Sequence, residues 1–260
     1  MNAYERLKLA RANGRPTGLA YIEGILDDAI ELHGDRKFAD DSAIVGGIAF
    51  LGNMPVTYIA IEKGTDLQTR LKRNFGLPKP EGYRKALRLM KQAEKFSRPV
   101  VCFVDTQGAY CGAEAEERGQ GQAIADNIME MMGLRTPVIT IVIGEGGSGG
   151  ALALAAADKV YMLENSVYSV ISPEGCASII WKDAGKVADA AECLHITAQD
   201  MLEMKVAERV ISENFENFDE MCRDIKENLT EDLTQLTSIP HGTLVENRYQ
   251  RFRGFGVFEE

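Results

Sequence analysis

The chain has 260 residues and 28.6 kDa, 45% of them hydrophobic and 26% charged, with 25 glycines and 8 prolines. Such proportions belong to a folded globular chain and exclude disordered, collagen-like and fibrous classes. Thirty-nine acidic residues against 29 basic ones leave a formal charge of −10 at pH 7, which repels a polyphosphate backbone, so nucleic acid is not the expected partner.

The first residues, MNAYERLKLARANGRP, carry a charge every few positions and no apolar core, so no secretory signal is expected. Apolar residues at three- and four-residue steps predict helices over 3–10 and 19–32, separated by Gly14 and Pro16. Strand-like runs follow at 43–51 and 56–62, joined by Gly52-Asn53 as in a tight hairpin. Three strands open alike, with Met54-Pro55-Val56, Arg98-Pro99-Val100 and Thr136-Pro137-Val138, at intervals of roughly 40 residues that suggest repeated strand–helix units. The second of these, 100–105, runs into Thr106-Gln107-Gly108-Ala109-Tyr110 and then a helix over about 119–132. The third, 138–143, runs into Gly144-Glu145-Gly146-Gly147-Ser148-Gly149-Gly150 and a helix over 151–157. A strand at 159–163 and a turn at 169–175 complete the expected core. From 198 onward the composition is helical and acidic, with basic residues at Arg248, Arg251 and Arg253.

The longest apolar stretches, 137–143 and 151–157, fall far short of the ~20 residues that span a bilayer, so no membrane segment is expected. Cys102, Cys111, Cys176, Cys193 and Cys222 form no CxxC pair, and His33, His195 and His241 are scattered. That pattern argues against a disulfide framework, a zinc ribbon and a metal site, and suits a reducing cytoplasm.

Five glycines in seven residues between a buried strand and a helix start exceed what a tight turn needs. Without Cβ atoms the backbone amides can approach a ligand, and the helix start adds unpaired donors and the positive end of its dipole. Two readings of that anion site compete. Gly144-x-Gly146-x-x-Gly149, with Glu164 twenty residues on, matches a dinucleotide-binding fingerprint and would make the chain an NAD-dependent oxidoreductase. Against it, the following helix is short and βα units precede the motif. In the second reading the same amides form an oxyanion hole for a thioester enolate, with donors ~2.7–3.1 Å from the charged oxygen.

The residues themselves resemble a known family, the α subunit of bacterial acetyl-CoA carboxylase carboxyltransferase. The resemblance rests on Asp41-Ser-Ala-Ile-Val-Gly-Gly47, Arg73-Asn-Phe-Gly76, Pro80-Glu-Gly-Tyr-Arg-Lys-Ala-Leu-Arg-Leu-Met90, Ala115-Glu-Glu-Arg-Gly-Gln120, the 144–151 segment and Tyr168-Ser-Val-Ile-Ser-Pro-Glu-Gly-Cys-Ala-Ser178. It covers 5–253 and outweighs the short nucleotide fingerprint. What it implies is an α/β, crotonase-like (ClpP/crotonase) spiral of repeated ββα units with N- and C-terminal helices. The domain would be single, with a helical arm over 1–34, a core over 35–212 and C-terminal helices and tail over 213–260.

The resemblance further implies a subunit active only with a zinc-ribbon-bearing β subunit, in an α2β2 heterotetramer served by a biotin carboxyl carrier protein and biotin carboxylase. Carboxybiotin on the carrier would give up CO2, its ureido nitrogen would take a proton from acetyl-CoA, and the enolate would attack CO2 to give malonyl-CoA, the first committed step of fatty acid synthesis. Biotin then serves as the base, and no catalytic triad is needed. The family's catalytic oxyanion pair falls on Gly149 and Gly150. Gly146 and Gly147 shape the same loop, and Ser172 and Glu174 lie in the turn resembling the active-site wall. No metal is implied on this subunit. The alternative within the same fold is a stand-alone acyl-CoA hydratase or decarboxylase.

The segment 70–98 holds ten basic residues against Glu81 and Glu94 and could face CoA phosphates, an acidic carrier or simply solvent. Adjacent Glu116 and Glu117 cannot both face one substrate atom on a helix, so interface or helix-start roles are expected for them. Two departures from the family pattern stand out: Gln107 replaces a proline after Asp-Thr, and an N-terminal helical extension of some tens of residues is lacking.

Overall fold

The computed structural model describes residues 1–256, so the last four positions of the expected C-terminal tail lie outside the described residues. Helix α1 (Ala3–Ala10) begins at Asn2, whose side chain accepts from the Glu5 amide while Glu5 reaches back to the Asn2 amide. This reciprocal cap satisfies two donors that the helix cannot. After α2 (Gly18–Ile25) the chain enters β1 (Asp27–Glu31), β2 (Ile44–Leu51) and β3 (Met54–Ile61). β2 and β3 pair antiparallel in continuous register from Ile44↔Ile61 to Leu51↔Met54, and Gly52 sits at φ 61° in the expected hairpin turn.

The helix expected over 19–32 instead ends at Ile25. Leu26 is already extended at φ −107° and ψ 148°, and Glu31 of β1 lies opposite Gly47 of β2. The Ile30 carbonyl occupies the space a Cβ on Gly47 would take. Close backbone pairing at a residue without a side chain therefore overrides the helical spacing of Ala29 and Ile30.

The remaining elements are α3 (Leu67–Lys72), α4 (Pro80–Lys95), β4 (Val100–Thr106), α5 (Ala113–Glu117), α6 (Gln120–Met132), β5 (Val138–Gly147), α7 (Ser148–Ala155), β6 (Lys159–Leu163), β7 (Val167–Ser169), α8 (Pro173–Cys176), α9 (Val187–Cys193), α10 (Ala198–Glu203), β8 (Arg209–Ile211), α11 (Phe218–Thr237) and α12 (His241–Arg253). The sheet runs β1-β2-β3-β4-β5-β6-β8, with β7 added alongside the end of β5. Every pairing from β3 onward is parallel. β8 interrupts the region read as wholly helical, because three residues suffice to extend the sheet past β6.

The proline-opened strands β3, β4 and β5 are neighbours. The Thr57 amide donates to the Pro99 carbonyl at 2.9 Å and the Val100 amide to the Pro137 carbonyl at 2.8 Å. Proline lacks a donor but keeps its acceptor, so it can start a buried strand without breaking the ladder. Along β4, Val100, Cys102 and Val104 pack toward one apolar cluster with Leu89 of α4, Met131 of α6 and Leu154 of α7. Val101 and Phe103 pack toward the other with Tyr21 of α2 and Ile225 of α11. Both faces are covered, which is why the strand reads as an unbroken apolar run. The sheet thus directs the ends of β4 and β5, at Thr106 and Gly147, to one edge, where ligand sites of parallel sheets form.

Candidate active site

The glycine-rich segment is not a loop. β5 continues through Gly147, α7 starts at Ser148, and no residue intervenes. The reversal is made within one residue: Ser148 has φ 53°, in the left-handed region. Four of the five glycines have a packing cause. A Cβ on Gly144 would overlap the Asp105 carboxylate, and one on Gly146 would stand 2.8 Å from the Tyr168 ring. One on Gly147 would overlap the Gln107 carbonyl, and one on Gly150 would lie 2.6 Å from the Ala109 nitrogen. The expectation that so many glycines exceed structural need is therefore corrected, since the segment is wedged between β4's outgoing loop and Tyr168. Gly149 differs, because its Cβ would meet only Ile124 Cγ2, at 3.3 Å.

Gly149 and Gly150 lie in the first turn of α7, where the helix supplies no acceptor for its own amides. The cap residue is Gly147, which has no side chain to accept from them. Gly149 is half-buried and, with Ser148, lines one end of a cavity of about 380 Å3 whose walls include Leu152, Val160, Met201 and Phe252. Gly150 is buried, and its carbonyl accepts from the Tyr83 hydroxyl at 3.1 Å. Gly146, Gly147 and Ser172 line a separate crevice of about 20 Å3 together with Gln107 and Glu145. The Ser172 hydroxyl oxygen caps α8, accepting from the Gly175 amide at 3.1 Å.

Glu174 points elsewhere. Arg11, just past α1, donates from Nη1 to Glu174 at 2.6 Å and from Nε to Glu145 at 2.9 Å. Partial burial pushes the Glu174 carboxyl up, but the Arg11 hydrogen bond and charge outweigh it and hold the group below its ordinary range. Arg11 was missed in the sequence, because its partners lie 134 and 163 residues away. The Gln107 amide donates to the same Glu145 at 3.2 Å, so the side chain that replaces the family's proline joins this cluster. A second cleft of about 360 Å3 opens beside it, lined by Arg11, Lys63, Arg70, Asp105, Gln107 and Glu145, with Lys63 paired to Asp105.

Much of the basic segment 70–98 is engaged within the chain. Arg84 donates to Asp35 at 2.8 Å, the fully buried Lys85 to Asp40 at 2.6 Å, Arg73 to the Ser42 carbonyl at 2.8 Å and Arg88 to the Gly34 carbonyl at 3.0 Å. These bonds tie α3 and α4 to the segment between β1 and β2. Glu116 and Glu117 are exposed at the end of α5. Among the described residues no group of three or more His, Cys, Asp or Glu side chains could hold a metal ion. No described helix is long and apolar enough to cross a membrane. The dinucleotide fingerprint is not supported either. Gly144 and Gly146 are strand residues, so no glycine loop is left between strand and helix to wrap a pyrophosphate.

The mixed sheet, antiparallel over β1–β3 and parallel from β3 onward, with helices on both faces, has the crotonase-like fold of carboxyltransferases, as its structural neighbours show. A transcarboxylase 12S hexamer with methylmalonyl-coenzyme A bound superposes with a TM-score of 0.70 over 85% of this chain and 42% of that one, at 19% identity. A Pseudomonas malonate decarboxylase hetero-tetramer in complex with coenzyme A gives 0.70 over 92% and 95%, at 16% identity.

The sequence narrows the class further: residues 1–256 match the acetyl co-enzyme A carboxylase carboxyltransferase-like family, and the chain belongs to it. The acetyl-coenzyme A carboxylase carboxyl transferase subunit alpha of Ruminiclostridium cellulolyticum is 54% identical over the full length of both chains. That of Streptococcus sanguinis is 57% identical over 96% of this chain and 97% of its own. In Natranaerobius thermophilus a protein described as subunits beta/alpha is 53% identical over all of this chain and 44% of its own length.

Proposed function

We propose that this chain is the α subunit of an acetyl-CoA carboxylase carboxyltransferase, and that it holds a negative oxygen of the reaction at the amides of Gly149 and Gly150. The observation that carries the reading is the first turn of α7, whose donors are unspent by the helix and whose Gly149 opens on the 380 Å3 cavity. When bound, carboxybiotin on a carrier protein supplies the carboxyl group and the base for the acetyl methyl. This chain's part is electrostatic. Amides fixed by β5 and α7 need no reorganisation as charge grows on the oxygen, and such donors are worth several kcal/mol in a site shielded from water.

Gly146 and Gly147 shape the junction, and Ser172 and Glu174 form the neighbouring wall, with Glu174 acting through its pair with Arg11. A β subunit completes the site in an α2β2 assembly served by the carrier and a biotin carboxylase. The fusion of both subunits in the Natranaerobius relative supports that pairing. The test is reconstitution: malonyl-CoA formation from acetyl-CoA and carboxybiotinylated carrier, assayed for the chain alone and with a β subunit. Activity only in the mixture is expected. Turnover of an acyl-CoA by the isolated chain would instead identify a stand-alone hydratase or decarboxylase.

A further inference from the structure

Ser148 is the residue at which the chain turns from β5 into α7 with a positive φ, between Gly147 and Gly149. Glycine adopts that conformation without strain, and a side chain there carries a conformational cost. A strained side chain at the mouth of a site points to something that side chain does. The nearby hydroxyls of Ser166, Ser169 and Ser172 are engaged with backbone groups of their own segments. That of Ser148 has no hydrogen-bond partner among the described residues, is exposed, and lines the cavity beside Gly149. Its walls are mostly apolar, with Leu152, Val160, Met201 and Phe252 among them, so the few polar groups at its end decide how a ligand is oriented.

We propose that the Ser148 hydroxyl is a third hydrogen-bond donor to the ligand oxygen held by the first turn of α7, a thioester or ureido carbonyl oxygen on which negative charge develops. The proposal rests on the oxyanion reading of Gly149 and Gly150 and assigns the serine a role in the same site. Being a donor and not a base, Ser148 needs no histidine or carboxylate behind it, and none bonds it among the described residues.

The experiment uses the reconstituted α/β complex with acetyl-CoA and carboxybiotinylated carrier. Ser148→Ala is expected to lower kcat by about 10² with KM for acetyl-CoA changed less than threefold, because a donor to developing charge acts in the transition state. Ser148→Gly is expected to lower kcat equally while raising the thermal midpoint, since it removes the strain together with the hydroxyl. Ser148→Ala keeps the backbone strain and Ser148→Gly relieves it, so an equal loss of kcat in both follows the hydroxyl and not the strain. Either variant retaining kcat within about threefold of the parent overturns the proposal, as does a change confined to KM. Gly149→Val is run alongside. If it abolishes activity while Ser148→Ala does not, only the hydroxyl's role falls; if it too is fully active, the oxyanion site itself is refuted.

Discussion

Gly149→Val separates chemistry from folding at this site. The new Cβ would stand 3.3 Å from Ile124 Cγ2, a side-chain methyl that can give by a few tenths of an ångström, and no backbone atom from another element comes within 4 Å. Gly149 is the second residue of an α-helix, so replacing glycine also removes a penalty of roughly 0.5–1 kcal/mol in backbone freedom, partly offset by the β-branch. The net effect on stability should stay within about 1 kcal/mol, a few degrees in the thermal midpoint. The branched side chain nevertheless enters the end of the cavity that Gly149 lines, where the proposed function puts the negative oxygen. Displacing the oxygen from one preorganised donor costs about 10²–10³ in kcat, or roughly 2.7–4 kcal/mol. The assay is steady-state malonyl-CoA synthesis by the reconstituted complex, with differential scanning calorimetry on the same preparation. Gly150→Val is the contrast: its Cβ would lie 2.6 Å from the Ala109 nitrogen and 2.9 Å from the Tyr83 hydroxyl, so that variant should fail by misfolding. A folded Gly149→Val complex with more than a third of the parent rate would refute the reasoning.

Arg11→Gln removes the cation shared by Glu145 and Glu174 and should lower kcat several-fold, with Arg11→Lys restoring part of it. Because Arg11 depresses the Glu174 carboxyl against its burial, the pair's stabilisation is complete above the ordinary carboxylate range, near pH 4.5, and is lost as the pH falls through the folded value. Parent and Arg11→Gln melting curves, recorded from pH 7 down, should therefore converge in acid. Asp40 is held down to about 2 because the hydrogen bonds from Lys85, the Gly34 amide and His33 outweigh its burial. Its contribution should persist to below pH 4 and fade toward pH 2, and Asp40→Asn, which leaves the fully buried Lys85 ammonium with the Asp41 carbonyl, should cost about 1–3 kcal/mol in urea unfolding at pH 7. Gly47→Ala should detach β1, read as faster amide exchange at 27–31 while the β2–β3 hairpin stays protected.

Local chemistry made much of the fold readable. The Gly52-Asn53 hairpin, the three proline-opened strands and the helix over 120–132 all lie where periodicity and turn residues put them. The elements that were misread depend on partners distant in sequence. β1 looks helical until Gly47 is seen to admit the Ile30 carbonyl, and β8 has too few residues to show a period. At the site, the glycines look in excess of structural need because sequence shows the missing Cβ atoms and not the Asp105, Tyr168, Gln107 and Ala109 groups that exclude them. Glu174 was visible as a residue of a distinctive turn, whereas its engagement with Arg11 appears only once α1 is folded across the sheet edge.

That crossing by α1 sets an order on biosynthesis. The Ala3 amide is bonded by Glu192 at 2.7 Å, Leu7 packs with Val167 and Ile196, and Tyr21 of α2 stacks edge-on against Phe218 at 5.1 Å. The first segments to leave the ribosome thus have docking partners that lie in the second half of the chain, at 167–218. Until those emerge, α1 and α2 expose apolar faces, and Arg11 has no carboxylates to clamp. A nascent chain released early would lack those partners, leaving the apolar faces of α1 and α2 in water and the end of the sheet without its Arg11 clamp.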